Sequence, residues 1–236
     1  MRCGPAASAG GPTIPAVPPP KRHPYDQWAP DARALDLVGD KWTLLIVRDL
    51  VAGPRRFVEL QRVLPGISTE QLRSRLNRMV ADGLLTRSRY REVPPRVDYE
   101  LTERSRELVP VIAALARWGY TWAWGPPREG EAVDVGAVFR AVPGLCAGSD
   151  ASGVVELRVD GRSYCLTLRP GGAGLTAGPP DDAPDATIAG TEADWVAALG
   201  PEGLRGALSV TGDVSLAATV LDAIAPAEAR PSAHAA

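Results

Sequence analysis

Residues 68–81 read STEQLRSRLNRMVA, and two features of this stretch decide the fold. The first is its start. Ser68-Thr69-Glu70-Gln71 has the form of a capping box, in which Ser68 and Gln71 satisfy each other's free backbone amides. The second is its period. At about 100° per residue, Leu72, Leu76, Met79 and Val80 fall on one side of a helix that ends near Asp82-Gly83. Gln71, Ser74, Arg75 and Arg78 gather on roughly the other side, with Thr69 and Arg73 near its start or flank. Such a polar, cationic face suits the major groove of duplex DNA, where arginine grips guanine O6 and N7 and glutamine pairs with adenine N6 and N7.

The flanking sequence builds a frame around this helix. Upstream, Phe57, Leu60 and Leu64 make a short amphipathic segment closed by Pro65-Gly66. Before it, Gly53-Pro54 stops a helical run that begins near Asp31, whose stripe of Ala34, Leu35 and Val38 resumes after Gly39 at Trp42, Leu45 and Ile46. Trp28 and Trp42 are expected in the core. Downstream, Leu84–Tyr90 and Arg96–Leu101 are strand-like runs around Val93-Pro94-Pro95; prolines cannot join a ladder, so they belong at a hairpin tip. Thr102 then caps a long helix with Leu108, Val111, Ile112, Leu115 and Trp118 on its apolar side, and Pro110 predicts a kink or a break near residue 106. Three short helices, a hairpin and a further helix are the element order of a winged helix-turn-helix. The hairpin offers Arg87, Arg89, Arg91 and Arg96 to phosphates or to the adjacent minor groove. Arg55 and Arg56, at the start of the preceding helix, suit phosphate contacts that position a protein without specifying sequence.

Charge is distributed to match. Residues 54–96 hold ten arginines against Glu59, Glu70, Asp82 and Glu92, a net of +6, whereas the 236-residue chain carries −2 and residues 121–236 carry −8. Lys21 and Lys41 are the only lysines. Cys3, Cys146 and Cys165 are too few and too scattered for a disulfide framework. The two histidines, His23 and His234, lie near the ends, which leaves no imidazole for a zinc site or a Ser-His-Asp triad. No enzyme, no metal and no cofactor are therefore expected. No apolar run approaches the roughly 18 residues of a membrane span, and residues 1–24 lack the apolar segment of a signal peptide. The expectation is a soluble, cytoplasmic protein with no membrane partner.

Gly125-Pro126-Pro127 is the clearest boundary. Beyond it Val155, Leu157 and Val159 alternate, Asp160-Gly161 supplies a two-residue turn, and Tyr164, Leu166 and Leu168 return on the same face. Helices are expected over about 192–199 and 213–224, with a strand near 207–211 between them. Gly172-Ala-Gly174-Leu-Thr-Ala177 fits a loose dinucleotide-loop pattern, but Pro179-Pro180 follow where a helix would have to run, so the segment is read as a flexible loop. Asp181, Asp182 and Asp185 read as a solvated loop, and Cys165 as an inert thiol in a strand. Trp118, Tyr120, Trp122 and Trp124 form either a wall of an effector pocket or packing at a dimer or domain interface.

The stretches ARALDLVGDKWTLLIVRDL (32–50), GPRRFVELQRVLPGIS (53–68), LRSRLNRMVADGLLTR (72–87) and VPPRVDYELTERSREL (93–108) closely resemble the HxlR-type winged-helix transcriptional regulators, in register over about residues 28–120. The resemblance implies a dimer joined through the N-terminal helix and the long helix after the wing. It also makes 68–81 the recognition helix and 85–101 the wing. Many members carry a cysteine just before the first helix, followed by proline; here that position is Ala29, followed by Pro30, so thiol sensing at that place is absent. More weakly, DATIAGTEADWVAAL (185–199) and ALSVTGDVSLAATVL (207–221) are similar to the sterol-carrier-protein fold. That resemblance implies a helix-covered curved sheet, serving as an apolar effector pocket or as a plain dimerisation or spacer domain.

The reading is thus an α+β chain. It comprises a disordered tail (1–24), a winged helix-turn-helix, mainly α with a β-hairpin wing (25–124), a linker (125–134), an α/β sterol-carrier-like domain (135–226) and a second tail (227–236). The function expected is a homodimeric, sequence-specific regulator of double-stranded DNA, a repressor, with a small apolar effector as a further partner acting through the 118–130 junction. Its DNA face comprises Arg55, Arg56, Ser68, Thr69, Gln71, Arg73, Ser74, Arg75, Arg78, Arg89, Arg91 and Arg96. The alternative is a lipid- or acyl-binding carrier whose N-terminal half serves mainly for dimerisation.

Overall fold

A computed structural model describes residues 24–90 and 96–225. The expected tails, the hairpin tip at Val93-Pro94-Pro95 and Arg91 therefore lie outside the described residues, apart from Pro24. By its contacts the described chain divides into two units, one ending at Gly39 and the other beginning at Asp40. In the first, α1 (Pro30–Val38) opens with Pro30 in its first turn, where the missing N–H leaves nothing unpaired. The backbone N–H of Gly39 closes it on the Leu35 carbonyl at 2.8 Å. Trp28, expected in the core, is 96% exposed instead, because it precedes the helix in a segment without regular structure.

The second unit begins with α2 (Thr43–Leu50), whose first amides are capped by Asp40: its carboxylate accepts from the N–H of Trp42 at 2.9 Å and of Thr43 at 3.1 Å. There follow β1 (Arg55–Arg56), α3 (Phe57–Val63), α4 (Thr69–Ala81), β2 (Leu85–Tyr90), β3 (Arg96–Leu101), α5 (Glu103–Arg106) and α6 (Val109–Trp122). Ile46, Leu50, Leu60, Leu64, Leu72, Leu76 and Met79 are buried, as their spacing requires. The long helix is broken, and Pro110 falls in the first turn of α6. Arg55 and Arg56 lie at the start of α3 as expected, with Arg56 at its N-cap and the Arg56 N–H donating to Glu59 Oε2 at 2.6 Å; they also form a third strand antiparallel to β3, giving the sheet order β1-β3-β2. One expectation fails here: α6 buries Ile112 and Ala113, while Val111, Leu115 and Trp118 face solvent, because α6 is apolar on both sides and periodicity alone cannot choose between them.

The C-terminal region comprises α7 (Val135–Phe139), α8 (Val142–Leu145), β4 (Gly153–Val159), β5 (Arg162–Arg169), β6 (Gly172–Ala177), β7 (Ala186–Gly190), α9 (Glu192–Leu199), β8 (Ser209–Gly212) and α10 (Val214–Ile224). The five strands run in the order β6-β5-β4-β7-β8, with β4 and β7 parallel and the other pairs antiparallel. The two-residue turn between β4 and β5 holds Asp160 and Gly161 at φ of 46° and 74°, the left-handed conformation that an Asp-Gly hairpin favours. The segment read as a flexible loop is β6, an edge strand whose pairing with β5 overrides its glycine content. One face of the sheet packs Val155, Leu157, Val159, Tyr164, Leu166 and Leu168 into a core with Val220 and Ile224. Phe139 fills that core edge-to-face against Tyr164 and Trp195, at ring-centre distances of 5.4 and 4.6 Å. Burial pushes the Cys146 thiol up to about 11, so it holds little thiolate near neutral pH.

The five-stranded region is packed directly onto the helices that precede it. The Ala177 N–H donates to the Ala52 carbonyl at 3.1 Å, and the Ala52 side chain belongs to the core of the five-stranded sheet. Gly144 of α8 lies so close to α6 that a Cβ there would come within 2.7 Å of both the Ala113 Cβ and the Val109 carbonyl oxygen. The indole N–H of Trp124 donates to the Leu199 carbonyl at 2.9 Å. Trp124 thus ties the 118–130 junction, through which an effector is expected to act, to α9. Among the described residues, no helix is long and apolar enough to cross a membrane.

Candidate nucleic-acid interface

The capping box forms as the sequence requires: the Gln71 N–H donates to Ser68 Oγ at 3.2 Å, and the Ser68 N–H to Gln71 Oε1 at 3.1 Å. That bond has a consequence for reading DNA. Bidentate pairing with adenine needs both the oxygen and the NH2 of an amide, and the Gln71 oxygen is engaged. Thr69 Oγ1 accepts from the Gln61 amide at 2.7 Å and ties the start of α4 to α3.

Two of the arginines expected to read bases are turned to other work. Arg75 Nη1 lies 3.0 Å from Asp40 Oδ2, half-buried against the carboxylate that caps α2. Arg78 Nε donates to Asp82 Oδ2 at 2.9 Å, one turn further along the helix. The residues of α4 that stand open are Thr69, Glu70, Gln71, Arg73, Ser74, Asn77 and Ala81. Among the described residues, Arg73 is held by an exposed contact with Glu70 at 3.4 Å, a weak restraint in water. Asn77 lies outside the DNA face expected from the sequence. Its signal was present in the spacing, three residues from Ser74 and four from Arg73 on one helix face.

The wing brings further arginines up to this face. Arg87 stacks over the Tyr99 ring at 6.0 Å, and Arg96 over the Tyr90 ring at 5.4 Å. Arg96 also clasps Asp98, with Nε 2.9 Å from each carboxylate oxygen, and Arg56 approaches the same group at 3.9 Å. The hydrogen bond from Arg96, with the charges of Arg96 and Arg56, holds the Asp98 carboxyl below its ordinary value despite burial. One carboxylate therefore offsets part of the charge of two expected phosphate contacts. Arg89 is exposed along β2, opposite Val97. Between α4 and the wing runs an open groove of about 340 Å³, lined by Phe57, Arg73, Asn77, Arg87, Val97 and Tyr99. Its lining combines apolar side chains with the cationic Arg73 and Arg87, a chemistry suited to a sugar-phosphate backbone.

Arg55 is not part of this surface. It is half-buried beside Arg140 and Asp49, and burial, then the Arg140 charge, hold its guanidinium below the ordinary arginine value.

A second exposed surface has the opposite chemistry. Val111, Leu115, Trp118 and Trp122 line one side of α6 at intervals of four, three and four residues, the spacing of a helix-packing seam. The aromatic run at the end of α6 is thus split. Trp118 and Trp122 face outward, whereas Tyr120 packs edge-on against Trp124 at 5.4 Å, its hydroxyl pushed well above the usual range by burial.

Residues 37–125 match the family profile described as HxlR-like helix-turn-helix. Over 93 residues the chain is 42% identical to the uncharacterized HTH-type transcriptional regulator sll1512 of Synechocystis sp., a match covering 39% of this chain and 69% of that one. It is 38% identical over 96 residues to the uncharacterized HTH-type transcriptional regulator YkvN of Bacillus subtilis, covering 41% and 81% respectively. Among solved structures, the redox regulator HypR in its reduced form is 36% identical, covering 39% of this chain and 90% of that chain, with a TM-score of 0.37. The family match ends at residue 125, ahead of the five-stranded sheet.

Proposed function

The chain belongs to the HxlR-like helix-turn-helix family and is a DNA-binding transcriptional regulator rather than an enzyme; from that premise we propose a homodimeric, cytoplasmic repressor that reads its operator with the open face of α4. Two copies of α4 enter successive major grooves about one helical turn apart, on an imperfect palindrome, and repression follows from covering a promoter. Arg73, Ser74 and Asn77 face base edges, with Asn77 able to pair with adenine through both ends of its amide. Arg87 and Arg89 hold the backbone. The observation that carries this reading is the groove in which Arg73 and Asn77 of α4 meet Arg87 of the wing. The outward apolar seam of α6 supports the dimer. A carrier whose N-terminal half served only for dimerisation would leave the polar face of α4 without a purpose.

For the C-terminal region, the strand order and the helices that follow β7 and β8 support a sterol-carrier-like domain over residues 135–226. The packing of Phe139, Tyr164 and Trp195 into its core favours a scaffold over an open lipid tunnel. The test is an anisotropy titration against duplex from the gene's own upstream region, at two salt concentrations, with random duplex as competitor. Saturable binding that resists the competitor supports the proposal. Equal, salt-sensitive binding to both duplexes removes that region as the operator.

A further inference from the structure

We infer that Arg140, in the C-terminal region, is a positioning residue for DNA binding: it clamps the chain segment from which the wing is hung, so that the five-stranded region sets the place of the wing against α4. The inference rests on the DNA-binding reading above. It starts from two buried charges. The side chains of Asp49 and Arg140 are 0% and 1% exposed, and Arg140 Nε and Nη2 lie 2.9 and 2.8 Å from Asp49 Oδ1. The other Asp49 oxygen accepts from Arg48 at 3.1 Å, and Arg140 also donates to Asp134 and, at 3.5 Å, to the Tyr164 hydroxyl. In a dry surrounding such a pair fixes position firmly, because pulling it apart strands a charge.

What the clamp holds is a short path to the wing. Three residues after Asp49, the Ala52 carbonyl is bound by β6. Gly53 then turns the chain at φ 128°, a conformation closed to most side chains, and Pro54 fixes the next angle. Arg55 and Arg56 follow directly, paired with Tyr99 and Asp98 of β3. Tyr99 carries Arg87, and Asp98 carries Arg96. From the buried clamp to the groups that meet DNA there are thus few residues, none of them in a slack loop. Arg140 itself is too deeply buried to touch DNA, so any effect it has on binding acts through this path.

The experiment uses the full chain and random duplex DNA, which needs no known operator. The slope of log affinity against log salt counts phosphate contacts, at about 0.9 per contact. In Arg140→Met the wing loses its place, and the slope should fall by about 2 with at least a tenfold loss of affinity, while far-ultraviolet circular dichroism stays that of the native protein. Arg140→Lys keeps the charge but not the fork, and should recover part of the slope. Asp49→Leu/Arg140→Met removes the stranded carboxylate and restores stability; it should still show the reduced slope, and it carries the test if Arg140→Met alone fails to fold. A wild-type slope in folded Arg140→Met or in the double variant overturns the inference. Failure of the unaltered protein to bind random duplex at low salt would instead sink the DNA-binding reading on which it stands.

Discussion

Helices α4 and α6 each bury one stripe and leave another in water, but what they leave out is opposite. α4 exposes Arg73, Ser74 and Asn77; α6 exposes Val111, Leu115, Trp118 and Trp122. Polar groups with unused hydrogen-bonding capacity match a wet, charged groove, where specificity comes from donor and acceptor geometry. Exposed apolar side chains have no such use, and covering them is favourable at about 25 cal/mol per Å². The difference teaches that the outward stripe, more than the inward one, points to a partner: in the function proposed above, nucleic acid for α4 and a second copy for α6.

This contrast can be broken or sharpened at single residues. The largest effect is expected from Trp118→Glu, which places a charge in the α6 seam. The dimer dissociation constant should rise by at least about 100-fold, the scale of an interface hot spot, in sedimentation velocity, and the thermal midpoint should fall and lose its concentration dependence as the stabilising partner is lost. A dimer that persists would remove α6 from the interface. Next, Asn77→Ala should cost about 1–3 kcal/mol on the cognate duplex and little on random duplex; an equal loss on both would make Asn77 a backbone contact. Arg89→Gln should weaken all duplexes alike and lower the salt slope by about 1. The smallest effect is expected from Arg75→Ala. Its ion pair with Asp40 is part-exposed, so stability should fall by at most about 1 kcal/mol in chemical denaturation, with no change in sequence preference. A loss confined to the cognate site would return Arg75 to the reading face.

Much of the frame was legible from local rules. The Ser68–Gln71 box, the strand runs on either side of Pro94-Pro95, the break near Pro110 and the Asp160-Gly161 turn all depend on neighbours within a few residues, and the structure has them. What was not legible depends mostly on groups far apart in sequence. Which arginines remain open is decided by Asp40, Asp82 and Asp98; Arg78–Asp82 and Arg96–Asp98 follow the i, i+4 spacing of a helix and the i, i+2 spacing of a strand, but nothing near Arg75 announces Asp40. The two-residue strand at Arg55 exists only because β3 lies alongside it. The Asp49–Arg140 contact joins residues 91 apart. α7 and α8 are too short to carry a periodic signal, and the glycines of Gly172–Ala177 read as a loop until β5 supplies their hydrogen bonds.

Gly144 has a consequence for how such a protein can be assembled or taken apart. With 2.7 Å between a notional Cβ and both Ala113 and the Val109 carbonyl, the seam between α8 and α6 admits no other residue without backbone movement. The reader and the sheet are consequently not interchangeable cassettes. A gene truncated after codon 124 would uncover Ala113 and leave Asp49 without Arg140, and a chimera with a different C-terminal region would have to re-tailor residues 49, 109 and 113 to its new neighbour. Fusion here is a one-way fit, with matched changes required on both sides of the join.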